Sequence, residues 1–221
     1  MKKKVILVSI IVAILLAAGS IFVFLRQPDP QNLVTVGLQR LYETDSYCYS
    51  VTQHQWVGEN DRLLTRITGE KGGENIRVLG QLAGSEVEMI KIGEVLYNKD
   101  PFTKEWVQYD GITIAQEVFL VELNPLTVLQ FKEKGEVMLK GQEEINNSKC
   151  WVCTLKPSIQ NQIMERFWTD FEYTLYIKKS NKTVIKADIK AVNKETKDSM
   201  VMSVEFSDIG KKILIEPPVI N

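Results

Sequence analysis

The sequence predicts an α+β chain dominated by antiparallel strands, and three observations predict it. Side chains alternate in character from Phe171 onward through three runs broken by turns. A second group of short strand-like runs lies between residues 47 and 109, separated by Gly-, Asn- and Asp-rich turns. Helix signals are few and lie before or between these two groups, which fits strands packed in runs rather than a doubly wound sheet.

At 221 residues, with 44% hydrophobic and 25% charged residues, the chain has material for one well-buried domain and a targeting segment. A formal net charge of −1 argues against nucleic acid as a partner. Lys2, Lys3 and Lys4 precede residues 5–25, a stretch of 21 residues without a charge. At about 1.5 Å per residue that stretch spans a hydrocarbon core of roughly 30 Å. Lysines ahead of the span predict a cytoplasmic N-terminus and a single-pass anchor, with everything after Arg26 on the extracytoplasmic side. A cleaved signal peptide is the alternative, with Ala17, Ala18 and Gly19 as the small residues. Length favours an uncleaved signal-anchor over residues 1–27, because the apolar run continues beyond that point. Residues 16–20 also resemble a bacterial lipobox with Ser20 where the lipid-bearing cysteine would stand.

Residues 28–30 form a stiff linker, in which Asp29 and Pro30 suit the N-cap and first position of a helix carrying Val34, Leu38 and Leu41. The domain proper is 31–221. Strands are expected at 47–56, 63–68, 76–82, 87–92 and 95–97, the last forming a hairpin with 105–109. Residues 111–121 suit a helix or a loop. Asn124 and Pro125 predict a second helix start, with Leu126, Val128, Leu129 and Phe131 along it and Gly135 as the stop. Strands follow at 137–140 and 149–155. Ser158 is the expected cap of a short helix with Ile159, Ile163 and Phe167 on one face.

The closing meander sets Phe171, Tyr173, Leu175 and Ile177 on one face, then Ile185, Ala187, Ile189 and Ala191, then Met200, Met202, Val204 and Phe206. Residues 213–215 make a short apolar run that ends at Pro217 and Pro218, which cannot continue a ladder.

Four sets of segments stand out together: Gly93, Glu94, Val95, Leu96 and Tyr97 with Trp106 to Tyr109, residues 124–129, residues 149–153, and Phe206 to Gly210 with residues 213–218. On these residues the chain resembles the LolA-like superfamily, which includes the outer-membrane lipoprotein carriers, the LppX and LprG lipoproteins and related lipoproteins of Gram-positive bacteria. The resemblance implies a strongly curved antiparallel sheet, an incomplete barrel, with helices in its concave face and an apolar hollow that takes an acyl chain or a lipid. It implies a non-enzymatic domain at a bacterial cell membrane, binding or carrying a lipid, a lipoprotein or another amphiphile. The alternative is a sensor or regulatory module acting through a protein partner.

On this expectation the candidate cavity wall is Phe171, Tyr173, Leu175, Met200, Met202 and Phe206. Drying such a face gains about 25 cal/mol per Å², whether helices or an acyl chain cover it. Flexible methionines adapt to guests of varied shape, although a stripe of this kind is core packing first.

No other cluster announces chemistry, and no cofactor or catalytic residue is expected. Cys150 and Cys153 are spaced like a redox or metal pair, but on a strand those positions face opposite ways. Buried apolar thiols explain them more simply, and Cys48 paired with either is the alternative in an oxidising exterior. His54 is the sole histidine and has no nucleophile near it in sequence. Residues 69–73 lack the ending of a phosphate loop. Glu86 with Glu88, and Glu143 with Glu144, suit solvated edges. Lys178, Lys179, Lys182, Lys186 and Lys190 gather on one hairpin, a solvated face that an anionic membrane surface would also suit.

Overall fold

The computed structural model describes residues 27–220, so the expected anchor lies outside the described residues. Among them, no helix is long and apolar enough to cross a membrane.

The chain opens on α1 (Pro30–Tyr42). The Asp29 carboxylate accepts from the Gln31 and Asn32 amides, both at 3.2 Å, and Pro30 takes the first turn, as the dipeptide predicts. Leu33, Val34, Leu38 and Leu41 form its buried face. Gly37 belongs to the same face because a Cβ there would lie 3.3 Å from Ile177 and Val184.

Six strands follow in meander order: β1 (Ser46–Val57), β2 (Asn60–Gly72), β3 (Asn75–Leu82), β4 (Ser85–Ile92), β5 (Val95–Lys99) and β6 (Trp106–Asp110). Next come α2 (Ile114–Glu122), a single 3-10 turn (Thr127–Leu129), β7 (Phe131–Glu133), and the hairpin of β8 (Val137–Ile145) with β9 (Ser148–Leu155). The chain continues through β10 (Ser158–Ile159), α3 (Gln162–Phe167), β11 (Trp168–Lys178), β12 (Val184–Asn193) and β13 (Ser199–Ser207).

Eleven strands form one sheet in the order β6-β5-β4-β3-β2-β1-β13-β12-β11-β9-β8, and every pairing is antiparallel. The two meanders join where β1 meets β13, from Cys48 opposite Ser207 to Trp56 opposite Ser199. A twisted sheet of this width curls on itself. It does not close: β6 and β8 remain its edges, which makes it an incomplete barrel. One face carries a continuous core drawn from β1 to β5, β9, β11 to β13 and α1.

Three expected elements differ. The helix predicted from Asn124 to Gly135 is one 3-10 turn followed by β7. The Asn124 side chain accepts from the Leu126 amide, a local turn that competes with helix, and Phe131 turns edge-on to Tyr173 with ring centroids 5.0 Å apart. Ser158 lies in β10, paired with Glu133, and Asn161 caps α3 instead by accepting from the Met164 amide at 2.8 Å. The expected shared face therefore does not form: Ile159 is buried, whereas Ile163 and Phe167 are exposed. Finally, residues 213–215 join no ladder. They cross the outer face of β2 to β6, where Ile90 and Ile215 are both buried and a Cβ on Gly72 would meet the Ile213 carbonyl at 2.6 Å.

Candidate functional site

Alternation along β1 points Tyr47, Tyr49, Val51 and Gln53 to the core side, and Thr65, Ile67 and Gly69 of β2 lie beside them. Opposite this part of the sheet stand α2, α3 and residues 123–128, and between the two layers lies a hollow of about 290 Å³. Its sheet side is Val51, Gln53, Thr65, Ile67, Leu82, Met202 and Val204. The facing side is Phe119, Glu122, Leu123, Asn124, Pro125, Val128, Asn161, Ile163, Met164, Phe167 and Trp168. The volume sits at the lower end of the roughly 300–1,000 Å³ range of small-molecule sites, and is about twice that of an apolar cavity that holds benzene.

The facing side is positioned from below by hydroxyls. Tyr173 donates to the Val128 carbonyl at 2.7 Å, Tyr49 to the Leu123 carbonyl at 3.2 Å, and Tyr42 to the Leu129 carbonyl at 2.5 Å. Burial pushes the Tyr42 and Tyr47 phenols up to about 12 and those of Tyr49 and Tyr173 higher still. The cover above is lighter. A capping box between Thr113 and Gln116 starts α2, yet none of its residues is buried, and Ile114, Val118, Phe119 and Val121 stay exposed.

The expected cavity residues separate. Met202 lines the hollow. Phe171 is buried in the core and also borders a separate cleft with Lys156, Trp168 and Lys194. Tyr173, Leu175, Met200 and Phe206 are buried core, with Phe206 edge-on to Tyr47 at 5.6 Å. The hollow's wall also draws on inward residues of β1 and β2 that the closing meander does not contain. Gln53 and Thr65 are polar residues paired across the two strands at inward positions, and they hydrogen-bond to each other at 3.3 Å.

The remaining candidates are structural. Cys153 faces the core and Cys150 the opposite side of β9, and all three cysteines are free. Burial pushes the Cys153 thiol up to about 11. His54 Nδ1 lies 2.8 Å from Asp61 Oδ1 on the β1–β2 hairpin. Glu88 is held by Lys99 at 2.8 Å and Arg77 at 3.2 Å on the outer face. Burial there works against its charge, but these two hydrogen bonds prevail and hold the carboxyl below its usual range. Lys186 pairs with Glu205 at 3.2 Å, and Lys179 stands over the Trp151 ring at 3.9 Å, so part of the lysine face is already engaged.

No family model and no curated protein sequence matches the chain. Solved structures do match. LprF from Mycobacterium bovis is 11% identical, with a TM-score of 0.57 over 87% of this chain and 98% of that one. The lipoprotein LppX from Mycobacterium tuberculosis, also 11% identical, gives 0.56 over 85% of this chain and 100% of that one. A LolA superfamily protein from Nitrosomonas europaea matches more loosely, at 15% identity and a TM-score of 0.32 over 86% and 96% of the two chains. As the sequence motifs implied, the chain has the fold shared by LppX and LprF.

Proposed function

We propose that this protein is a membrane-tethered, extracytoplasmic binding domain, not an enzyme, that holds the apolar part of a small amphiphile in the hollow between sheet and helices. The observation that carries this reading is the hollow itself. Side chains from β1, β2 and β13 form a largely apolar floor, and Phe119, Ile163 and Phe167 of the facing helices stay exposed at its rim. A guest chain dries that surface at about 25 cal/mol per Å². The volume suits one chain rather than a large multi-chain lipid. The lysines and apolar run over residues 2–25 support tethering with the domain outside the cytoplasm.

The test is uptake. Protein purified from membranes is analysed by native mass spectrometry for carried lipid, then stripped and titrated with a fluorescent monoacylglycerol. The expected result is stoichiometric uptake, lowered at least tenfold by Met202→Trp, which fills the hollow. Absence of carried lipid together with absence of uptake overturns the reading.

A further inference from the structure

We infer that the hollow selects amphiphiles whose headgroup donates hydrogen bonds and carries no negative charge, and that it discriminates against carboxylates. This rests on the reading of the hollow as a binding site and adds the class of guest. Among the described residues, Glu122 is the one ionisable side chain lining the hollow, and no Lys, Arg or His lines it.

The other polar side chains lining the hollow are Gln53, Thr65, Asn124 and Asn161. Asn161, only 8% exposed, uses its oxygen to accept from the Met164 amide at 2.8 Å and its nitrogen to donate to Glu122 Oε2 at 3.1 Å. Thr65 Oγ1 donates to Gln53 Oε1 at 3.3 Å, and Gln53 Nε2 points to the Met200 sulfur at 3.1 Å. Two groups remain among the described residues: the Asn124 side-chain amide nitrogen, whose neighbouring Oδ1 accepts from the Leu126 amide at 3.0 Å, has no acceptor, and Glu122 Oε1 has no donor, while Asn161 holds the other carboxylate oxygen in place.

A hydroxyl or ammonium headgroup supplies the missing donor. A carboxylate headgroup supplies none, and brings a second negative charge beside the first. Selectivity then comes as much from rejecting the wrong head as from holding the right one.

The experiment compares three guests with the same chain: monododecanoylglycerol, dodecylamine and dodecanoate. Each competes below its micelle concentration at pH 8 against a fluorescent monoacylglycerol bound to the full chain. Dodecanoate is expected to compete at least about tenfold more weakly than the glycerol ester, with the amine at least equal to the ester. Glu122→Gln keeps an oxygen for Asn161 and removes the charge. It should narrow the ester-to-carboxylate gap to under about threefold and weaken the amine.

Equal or stronger competition by dodecanoate overturns the inference, as does an unchanged gap in Glu122→Gln with its fold intact by circular dichroism. If that variant does not fold, the ranking in the unaltered chain decides alone. No binding of any of the three, nor of the probe, overturns the reading of the hollow itself, an outcome distinct from equal binding of all three.

Discussion

The Tyr173 hydroxyl donates to the Val128 carbonyl at 2.7 Å, joining the middle of β11 to the 3-10 turn that walls the hollow. Both partners are buried, so neither regains water if the bond is lost. Tyr173→Phe leaves the ring and its edge-on contact with Phe131 in place but strands a buried carbonyl. The expected cost is about 1–3 kcal/mol, read as a lower urea midpoint with unchanged slope. Because Val128 lines the hollow, amphiphile affinity should fall as well.

The same phenols set the alkaline limit of the fold. Ionising a buried tyrosine is disfavoured in the folded chain, so its folded value lies above the unfolded value of 10. The stability it contributes is complete below pH 10 and is lost as pH rises toward the folded value, which is about 12 for Tyr47 and higher for Tyr49 and Tyr173. Denaturant unfolding should therefore show stability declining above pH 10. In Tyr173→Phe the decline should be shallower by about 1 kcal/mol per pH unit, since one buried phenol no longer ionises on unfolding. Equal slopes for the two proteins would contradict this.

Gly69 lies beneath the Tyr49 ring, its partner across β1 and β2, and a Cβ there would overlap that ring. Gly69→Ala should displace Tyr49 and break its bond to the Leu123 carbonyl, at a cost of about 1–3 kcal/mol. Gly73→Ala is the informative comparison. That residue has open space around it and a φ of +62°, so its cost comes from backbone strain at a turn and leaves Tyr49 in place. Thermal unfolding should show both losses, whereas near-ultraviolet tyrosine dichroism should change only for Gly69→Ala.

Cys150 and Cys153 face opposite sides of β9, so no bond joins them without rebuilding the strand. Alkylation in denaturant should label all three cysteines without prior reduction. In native buffer Cys48 should react first, since Cys150 and Cys153 are fully buried, and recovery of a disulfide-linked peptide would contradict the free-thiol assignment.

Most of this architecture was legible in the sequence because a strand half-buried on one side writes its faces into alternate residues. Tyr47, Tyr49 and Val51, or Met200, Met202 and Val204, can be sorted into faces without a structure. The short elements were not legible, because they depend on distant partners. Ser158 and Asn161 are equally good caps in isolation, and the pairing of Ser158 with Glu133 decides between them. Phe131 fits a helix until the Tyr173 ring is beside it. The candidate site was legible only in part for a related reason. Alternation identifies the greasy side of a sheet, but where the hollow lies along it depends on where α2 and α3 stand, which sets it against β1, β2 and β13.

The last expectation concerns how a guest enters. Phe119 and Glu122 line the hollow, yet α2 buries none of its residues and leaves Ile114 82% exposed. A helix held by so little apolar area opens at low free energy, well before the sheet does. Amide hydrogen exchange should therefore be fastest, among the helices and the long strands, in residues 114–122, and slow in β1 and β13, whose ladders are paired on both sides. A guest that contacts Phe119 and Glu122 stabilises the closed position, so saturation with a monoacylglycerol should slow exchange in α2 by at least tenfold while leaving β8 and β12, which do not line the hollow, unchanged. Uniform slowing across the whole sheet would point to global stabilisation, and α2 would then have no special part in entry. If α2 is instead protected before any guest is added, access must come from the α3 side, where Ile163 and Phe167 are the exposed residues at the rim.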